Sequence, residues 1–298
     1  MKPPAFRYHD PRTVEEALDL LAELDQAKIL AGGQSLMPML NFRLAFPEHL
    51  VDLGRTAGMS GVEHFDDERV LRIGATTRQA ACERDAGIAA SFPLLPEALT
   101  HVGHFQTRNR GTVGGSIAHL DPAAELVAVA AAAEATVHAA SVRGVRSIPF
   151  ESFPRGYLTS DLAADELLLA VDLPLWRPGH GYAFEEFARR HGDFAVVAAA
   201  VLLDAGPDGR IRDVRVALVG LAAGPVRLTR AEQMLAGEEA GPDLVAAAAR
   251  CARNLPAGSD IHAPAEYRQR LAETLTRRAL NRALERMTVP EDDTWSAA

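Results

Sequence analysis

Two double-glycine segments contain the residue types best suited to binding a charged ligand. They read Ala31-Gly-Gly-Gln-Ser35 and Thr112-Val-Gly-Gly-Ser116. Glycine reaches positive φ values and lets backbone N–H groups approach a ligand without an intervening Cβ, and consecutive amides of this kind form a concavity that binds anions. Each segment also carries hydroxyl side chains that can donate hydrogen bonds. Two such segments, about 80 residues apart, could hold the two phosphates of a pyrophosphate from opposite sides.

The spacing of the glycines argues against two common phosphate-binding motifs. Neither segment reads G-x-G-x-x-G or G-x-x-x-x-G-K-S/T, so an ordinary Rossmann dinucleotide site and a P-loop are both disfavoured. A Gly-Gly pair after a strand is also frequent in simple turns. From the residues alone, a turn and a phosphate site both stay open for each segment, and the presence of two matched segments favours a ligand.

Further polar residues lie near the second segment. A metal site is conceivable at His101, His104, His119 and Asp121. The H-E-x-x-H pattern is missing, however, and a helix can carry two histidines three residues apart for packing or surface reasons. Arg108 and Arg110 could offset phosphate charge or could equally be surface arginines.

The elements that must position these segments follow from hydrophobic periodicity and turn residues. Thr13-Val-Glu-Glu16 is a capping box that predicts a helix over about 13–25. Further helices are predicted at Thr76–Arg84, with threonines as candidate caps, and at Leu94–Val102, and the alanine-rich Ala128–Ala135 is predicted to be buried helix. Strands are predicted at Lys28–Ala31, His49–Leu53, Val70–Ile73, Glu134–His138 and Leu167–Val171.

The second half of the chain has a different pattern. Pro174–Gly181 is rich in Pro and Gly and predicts a linker or strand exit. Three antiparallel strands are predicted at Tyr182–Phe187, Ala195–Leu203 and Val214–Val219, followed by helices at about Leu228–Leu235, Asp243–Asn254 and Ala265–Met287. The predicted domains are 1–176, with lobes of about 1–57 and 58–176, then 177–287 and a tail at 288–298.

Composition excludes several classes of function. The formal net charge is −9 and no long basic run is present, which argues against nucleic acid and anionic membrane surfaces as partners. The two cysteines, Cys82 and Cys251, cannot supply the four ligands of an iron–sulfur cluster. No apolar stretch is long enough to span a bilayer, and no signal peptide is recognised. We therefore expect a cytoplasmic protein without a transmembrane segment.

Longer stretches around both segments carry a resemblance to a known family. Residues 31–43 and 108–125, together with Gly156-Tyr-Leu-Thr159, Asp165-Glu-Leu-Leu168 and Arg190-His-Gly-Asp-Phe-Ala195, resemble the flavoprotein (medium) subunits of the xanthine dehydrogenase and carbon monoxide dehydrogenase family. The resemblance extends from residue 1 to about 287. It implies an α+β fold, in which a two-lobed FAD-binding domain of the vanillyl-alcohol-oxidase (PCMH) type precedes a C-terminal domain with a three-stranded antiparallel sheet and helices.

The resemblance also implies a set of FAD-binding residues and no catalytic or metal-binding ones. These are Leu30, Ala31, Gly32, Gly33, Gln34, Ser35, Leu36, Thr112, Val113, Gly114, Gly115, Ser116, Glu125, Leu168 and Phe194. Phe194 would cover the flavin, although an aromatic residue at the start of a strand is more often part of a core. Four departures from relatives are Ser116 in place of Asp or Asn, Gln34 in place of His, Phe194 in place of Tyr, and the absence of a lysine near Glu185.

The family further implies a role within a larger complex. A large subunit would carry the molybdopterin cofactor, a small subunit would carry 2Fe–2S clusters, and the assembly would be a dimer of heterotrimers. The flavin would pass electrons to NAD, oxygen, a quinone or another acceptor, and the substrate would bind on the large subunit. Two alternatives are a non-catalytic assembly or cofactor-delivery protein with the same fold and a standalone flavin oxidoreductase. The second lacks a visible acid/base set for a substrate.

Overall fold

The N-terminal lobe is a small parallel sheet with two helices. The computed structural model describes residues 2–289. The elements of this lobe are β1 (Arg7–His9), α1 (Val14–Glu23), β2 (Ala27–Leu30), α2 (Leu36–Asn41) and β3 (His49–Asp52). Strand β3 lies between β1 and β2 and is parallel to both. The first glycine segment therefore connects the end of β2 to the start of α2.

The predicted capping box is present at the start of α1, with one change of partner. The Thr13 hydroxyl accepts a hydrogen bond from the Glu16 amide at 3.2 Å. The Glu16 carboxylate reaches back to the Arg12 amide, at 2.6 Å, rather than to that of Thr13. Both interactions satisfy amides that lack partners within the helix, so the predicted helix is confirmed.

The second lobe is built around an antiparallel sheet of five strands in the order β4-β5-β10-β6-β7. Its strands are β4 (Val62–Phe65), β5 (Val70–Gly74), β6 (Thr136–Ser141), β7 (Gly144–Pro149) and β10 (Leu167–Pro174), and β8 (Pro154–Gly156) and β9 (Thr159–Ser160) form a separate pair. Between β5 and β6 lie α3 (Gln79–Arg84), α4 (Ala86–Ser91), α5 (Leu94–Leu99), α6 (Phe105–Arg110), α7 (Val113–His119) and α8 (Glu125–Ala133). The second glycine segment forms the start of α7.

The threonines before α3 do not cap it, contrary to the prediction. The Thr77 hydroxyl donates to the Gly61 carbonyl at 3.0 Å and accepts from the Gly61 amide at 2.9 Å. The helix instead begins at Gln79, with Arg78 at the N-cap position and no side-chain cap. A long-range partner has therefore replaced the local one, which the sequence pattern does not reveal.

The C-terminal domain is an antiparallel sheet covered by three helices. Its elements are β11 (Gly181–Phe187), β12 (Val197–Ala205), β13 (Ile211–Val219), β14 (Val226–Arg227), α9 (Thr229–Leu235), α10 (Pro242–Arg250) and α11 (Ala265–Arg286). The order β11-β12-β13-β14 follows the chain, so the three predicted strands are confirmed. The sheet gains a fourth strand, β14, whose two residues are too few to show any periodicity.

Strand β12 links the cores of the two domains. All nine of its residues are buried. Because side chains alternate between the faces of a strand, Ala198, Ala200 and Leu202 pack into the core that contains α8 and the second lobe. Val197, Val201 and Leu203 pack on the other face against the C-terminal helices. The buried helix α8, confirmed as predicted, thus lies under the C-terminal sheet.

A polar row crosses the outer face of the five-stranded sheet. Asp172 on β10 accepts two hydrogen bonds from the Arg72 guanidinium, both at 2.7 Å. His138 Nε2 lies 2.7 Å from the Asp172 carboxylate, and Ser147 Oγ lies 3.1 Å from His138 Nδ1. The hydrogen bonds from Arg72 and His138 outweigh partial burial and lower the pKa of Asp172.

We expect Asp172→Asn to lower the free energy of unfolding at pH 7 by about 2 kcal/mol, because it removes the charged acceptor of these bonds. Since the folded-state pKa of Asp172 is lowered, its contribution is present above the unfolded pKa, about 3.9, and is lost as pH falls through the folded value. Urea unfolding at pH 7 and at a pH below the folded-state pKa of Asp172 measures the difference, which should vanish at the lower pH. Asp165→Asn, at the exposed pair with Arg143, is the control and should change stability less.

Within residues 2–289, no helix is both long enough and apolar enough to cross a membrane.

Candidate functional site

A cavity of about 640 Å³ lies where the two lobes and the loop before β12 meet. Both double-glycine segments line it. This volume falls within the range of small-molecule and cofactor sites. The cavity is thus the place where the two sequence segments come together.

The two segments approach each other so closely that position 32 accepts no side chain. A Cβ built on Gly32 would overlap the Arg110 carbonyl oxygen and lie 2.7 Å from the Gly111 Cα. These are backbone atoms and cannot rotate away. Gly33, the next residue, has φ of +73°, a conformation that favours glycine. The glycines are therefore required both for the contact between the lobes and for the turn.

The first segment presents free backbone donors to the cavity. Within the part of the chain that the structure describes, the amides of Gly33, Gln34 and Ser35 make no hydrogen bond to a backbone carbonyl or side chain. The Gln34 side chain donates to the Gly32 carbonyl at 3.1 Å and so braces the turn. Ser35 adds a hydroxyl that does not cap α2. Open amides of this kind are suited to an anion.

The second segment does not repeat this arrangement, contrary to the expectation from its sequence. The Val113 amide donates to the Thr77 carbonyl at 3.0 Å, and the Gly114 amide to the Ala75 carbonyl at 2.9 Å. The Gly115 amide donates to the Thr112 hydroxyl at 3.1 Å. A Cβ on Gly114 would lie 2.5 Å from that of Ala75. These glycines let α7 pack onto the end of β5, and the segment contributes a close wall and the Ser116 side chain.

Three more distant residues reach the same cavity. Glu125 begins α8 and is 6% exposed, and burial raises the pKa of its carboxyl to about 7. Leu168 is buried on β10, where the pairing with β6 is interrupted by a bulge. Phe194 is 67% exposed in the loop between β11 and β12. An exposure this large excludes the alternative that Phe194 belongs to a core.

Two of the predicted residues lie outside the cavity wall. Several polar residues that line the cavity were not predicted from the sequence. Val113 is buried in the core, and Leu30 packs behind Gly33. Residues that line the cavity but were not predicted include Thr76, Gln79 and Ser160. Gln79 Oε1 is buried and has no hydrogen-bond partner among residues 2–289. Thr76 follows the end of a predicted strand, as the first glycine segment does. Its place in the sequence could therefore have marked it as a candidate site residue.

The candidate metal residues separate into different environments. His119 and Asp121 line the cavity, whereas the His101 ring packs against Phe184 and the His104 ring faces His191. Over the described residues, no group of three or more His, Cys, Asp or Glu side chains is arranged to hold a metal ion.

Arg108 is not an open surface arginine, and it does not line the cavity. Its guanidinium makes two hydrogen bonds to Glu83, at 2.7 and 3.0 Å, and a third to the Val102 carbonyl at 2.9 Å. Through the bond to Glu83, Arg108 connects α6 to α3. Arg110 is exposed, and its carbonyl accepts a hydrogen bond from Arg78.

Two regions of the chain match described protein families. Residues 4–176 match the FAD-binding domain in molybdopterin dehydrogenase, and residues 182–283 match the CO dehydrogenase flavoprotein C-terminal domain. The caffeine dehydrogenase subunit beta of Pseudomonas sp. (strain CBB1) is 40% identical, with 96% of this chain and 97% of that protein covered. The 6-hydroxypseudooxynicotine dehydrogenase complex subunit alpha of Paenarthrobacter nicotinovorans is also 40% identical, with the same coverage.

The structure has a close counterpart in a solved enzyme. A chain of the carbon monoxide dehydrogenase from Hydrogenophaga pseudoflava superposes with a TM-score of 0.93 at 35% identity, covering 97% of this chain and 100% of that one. The predicted α+β fold with its two-lobed first domain is thereby confirmed. The chain belongs to the family of FAD-binding subunits of molybdenum-dependent dehydrogenases, with the CO dehydrogenase flavoprotein C-terminal domain.

Proposed function

We propose that the cavity binds FAD and that the chain is the electron-transfer subunit of a heteromeric molybdenum hydroxylase. The observation that carries this is the row of open amides at Gly33, Gln34 and Ser35, which face a cavity closed on its other side by Thr112–Ser116. Such a row fits a pyrophosphate. Bound FAD would supply the ability to accept and release electrons, while the protein binds and orients it.

The remaining wall residues suit the other parts of the cofactor. Glu125 would bind a hydroxyl group, because a buried carboxyl needs a hydrogen-bond partner. Leu168 would pack against the flavin ring, and the exposed Phe194 would cover it from the solvent side. The predicted FAD-binding domain is 1–176, and Phe194 would be contributed from the predicted domain 177–287.

The cysteine chemistry of the chain supports an electron donor on another polypeptide. The sequence has two cysteines, and burial raises the pKa of Cys82 to about 12, so this thiol is inert. Iron–sulfur clusters that reduce the flavin would therefore be held by a small partner subunit, and the molybdopterin cofactor by a large one. We propose a complex of these three chains, assembled as a dimer of heterotrimers.

Reconstitution of the flavin-free chain with FAD tests the cofactor proposal. We expect one FAD per chain, bound without a covalent link because the second glycine segment contains no His or Cys. FMN, which lacks the pyrophosphate, should bind at least tenfold more weakly, a difference of about 1.4 kcal/mol. A folded chain that stays colourless with excess FAD would refute the proposal.

Co-purification tests the role in a complex. The chain should purify with a cysteine-rich chain and a long molybdopterin-binding chain. A complex without this chain that reduces its acceptor at the full rate would favour an assembly role. Substrate turnover by the isolated chain would favour a standalone oxidoreductase.

A further inference from the structure

A second cavity, of about 510 Å³, adjoins the proposed FAD cavity. Three residues line both cavities: Asp121, Asp193 and Phe194. The rest of the second cavity is formed largely by the residues just before β12, those just after β13 and the loop before α11. Its volume falls within the range of small-molecule sites. A molecule bound there would face the FAD cavity across this shared wall.

Two aromatic side chains border the second cavity and lie open to solvent. Phe194 is 67% exposed, and Tyr157, in the turn between β8 and β9, is 66% exposed. Neither ring belongs to one of the two hydrophobic cores. Large aromatic side chains left exposed at a cavity are typical of a binding surface. Their ring faces favour a planar ligand, and above all a cationic one.

The carboxylate of Asp121 places negative charge at the shared wall. Its Oδ1 atom accepts a hydrogen bond from the Ala123 amide at 2.9 Å, and it makes no ion pair among residues 2–289. The nearby His119 ring does not neutralise it. Burial lowers the pKa of His119 and outweighs the opposing effect of Asp121, so this ring is neutral at pH 7.

The two arginines that border the second cavity each pair with a different carboxylate. Arg268 binds Asp260 at 2.6 Å, and Arg189 lies 4.0 Å from Asp193. The charges within each pair cancel. The uncompensated charge at the shared wall is therefore that of Asp121, and it attracts a cation.

The place of Phe194 in the shared wall bears on the kind of acceptor. A ring in the second cavity would meet the flavin across the Phe194 side chain. Transfer of a hydride needs the reacting atoms in direct contact, whereas electrons can cross the thickness of one side chain. The arrangement therefore favours an acceptor that takes electrons from the flavin and protons from solvent, as fused N-heteroaromatic rings do. It disfavours nicotinamide, which takes a hydride.

We propose that the second cavity binds a planar, cationic, fused N-heteroaromatic ring that accepts electrons from flavin in the adjoining cavity, and that Asp121 selects its positive charge. This inference rests on the proposed FAD site. The ring would lie against Phe194 and Tyr157, with its charge toward Asp121. The second cavity would thus be the place where electrons leave the chain.

The electron and proton balance of this transfer is closed by solvent. Two electrons pass from the anionic reduced flavin to the ring cation. One proton leaves the flavin for solvent, and one solvent proton adds to a ring nitrogen. The flavin is oxidised, the ring is reduced to an uncharged dihydro form, and the number of protons in solvent does not change.

Equilibrium dialysis of the oxidised, FAD-loaded chain against methylene blue, a cation of this class, tests the site. Asp121→Asn should weaken dye binding about tenfold, because asparagine can keep the hydrogen bond to the Ala123 amide and removes the charge. Ala223→Phe should weaken it at least about tenfold, because exposed Ala223 lines the second cavity and not the first. FAD affinity should be unchanged in Ala223→Phe. Asp67→Asn, at an exposed turn, is the control and should change neither affinity.

Re-oxidation of the reduced, FAD-loaded chain gives a second readout, in which each dye is compared with itself. Asp121→Asn should slow re-oxidation by methylene blue and speed re-oxidation by the anionic dye 2,6-dichlorophenolindophenol at pH 8. Opposite effects on the two dyes identify the charge of Asp121 as the cause, because a loss of structure would slow both.

The outcomes separate the second cavity from the cofactor site. If FAD binds but the dye affinity is the same in the wild type and in both variants, the inference is wrong while the cofactor site stands. The inference is also wrong if Asp121→Asn slows both dyes equally, or if NAD displaces methylene blue at a concentration below that of the dye. If FAD fails to bind and both substitutions still weaken dye binding, the cofactor proposal is wrong and the second cavity stands as a site for the cation.

Discussion

The substitution Gly32→Ala is expected to weaken FAD binding by at least roughly 100-fold and to lower the free energy of unfolding by about 2–3 kcal/mol. The new methyl group would overlap the Arg110 carbonyl oxygen and approach the Gly111 Cα to 2.7 Å. Both lie in the backbone of the opposing segment, so the lobes must separate to accommodate it. The open amides that follow Gly32 would then lose their position relative to Ser116.

Fluorescence titration with FAD and urea unfolding measure these two effects. Gly224→Ala is a matched control, because a Cβ there would meet only the Cβ of Pro154 at an ordinary 3.5 Å. If the Gly32 variant is too unstable to assay, Ser35→Ala retains the backbone and removes a hydroxyl that does not cap a helix. That variant should lose about tenfold in affinity at unchanged stability. Normal FAD binding by Gly32→Ala would show that the close approach of the segments is not needed.

The two glycine segments show what local sequence patterns can and cannot predict. The position of the first segment directly after a strand is predicted, because glycine acts on the backbone within a few residues. The patterns could not show that only the first segment keeps free amides. The acceptors that occupy Val113 and Gly114 are carbonyls just beyond β5, at Thr77 and Ala75, almost forty residues earlier in the chain.

The fold predictions also succeeded where the signal is local and failed where a distant segment decides the packing. The apolar run 195–203, which forms most of β12, is identifiable from its composition, and the three antiparallel strands from the hairpin signal after it. What the sequence did not show is that the two faces of β12 belong to different cores. That assignment depends on α8, which packs against the strand from the other domain.

Glu186 shows why the surroundings of the site could not be predicted fully from the sequence. Two adjacent glutamates on a strand are ordinarily expected at a solvent-exposed edge. Alternation along β11 places Glu185 beside Arg282 and turns Glu186 inward, where its side chain is 4% exposed and lies near His101. The inward face is closed by segments of the first domain, so no pattern within β11 could predict the burial.

The substitution Arg268→Met is expected to give the largest loss of stability outside the glycine segments, about 4 kcal/mol. Arg268 lies on α11 with its side chain 8% exposed. Its guanidinium donates to the Val196 carbonyl at 2.6 Å and to the Gly220 carbonyl at 2.7 Å, and it pairs with Asp260 at 2.6 Å. Methionine fills the space of the stem but leaves the two carbonyls and the Oδ2 atom of Asp260 without this donor.

The substitution of Arg268 should also affect the proposed cofactor site, because the Val196 carbonyl lies close to Phe194 in the chain. Val196 lies two residues after Phe194 and one before the start of β12, so Arg268 anchors one end of the loop that carries Phe194. We expect the variant to bind FAD several-fold more weakly even where it is fully folded. Arg278→Met, at an exposed position of the same helix, is the control and should change neither the free energy of unfolding nor the affinity for FAD. Equal losses in the two variants, measured by urea unfolding and FAD titration, would mean that helix α11 supports the domain through its apolar face alone and that the loop holds its position without Arg268.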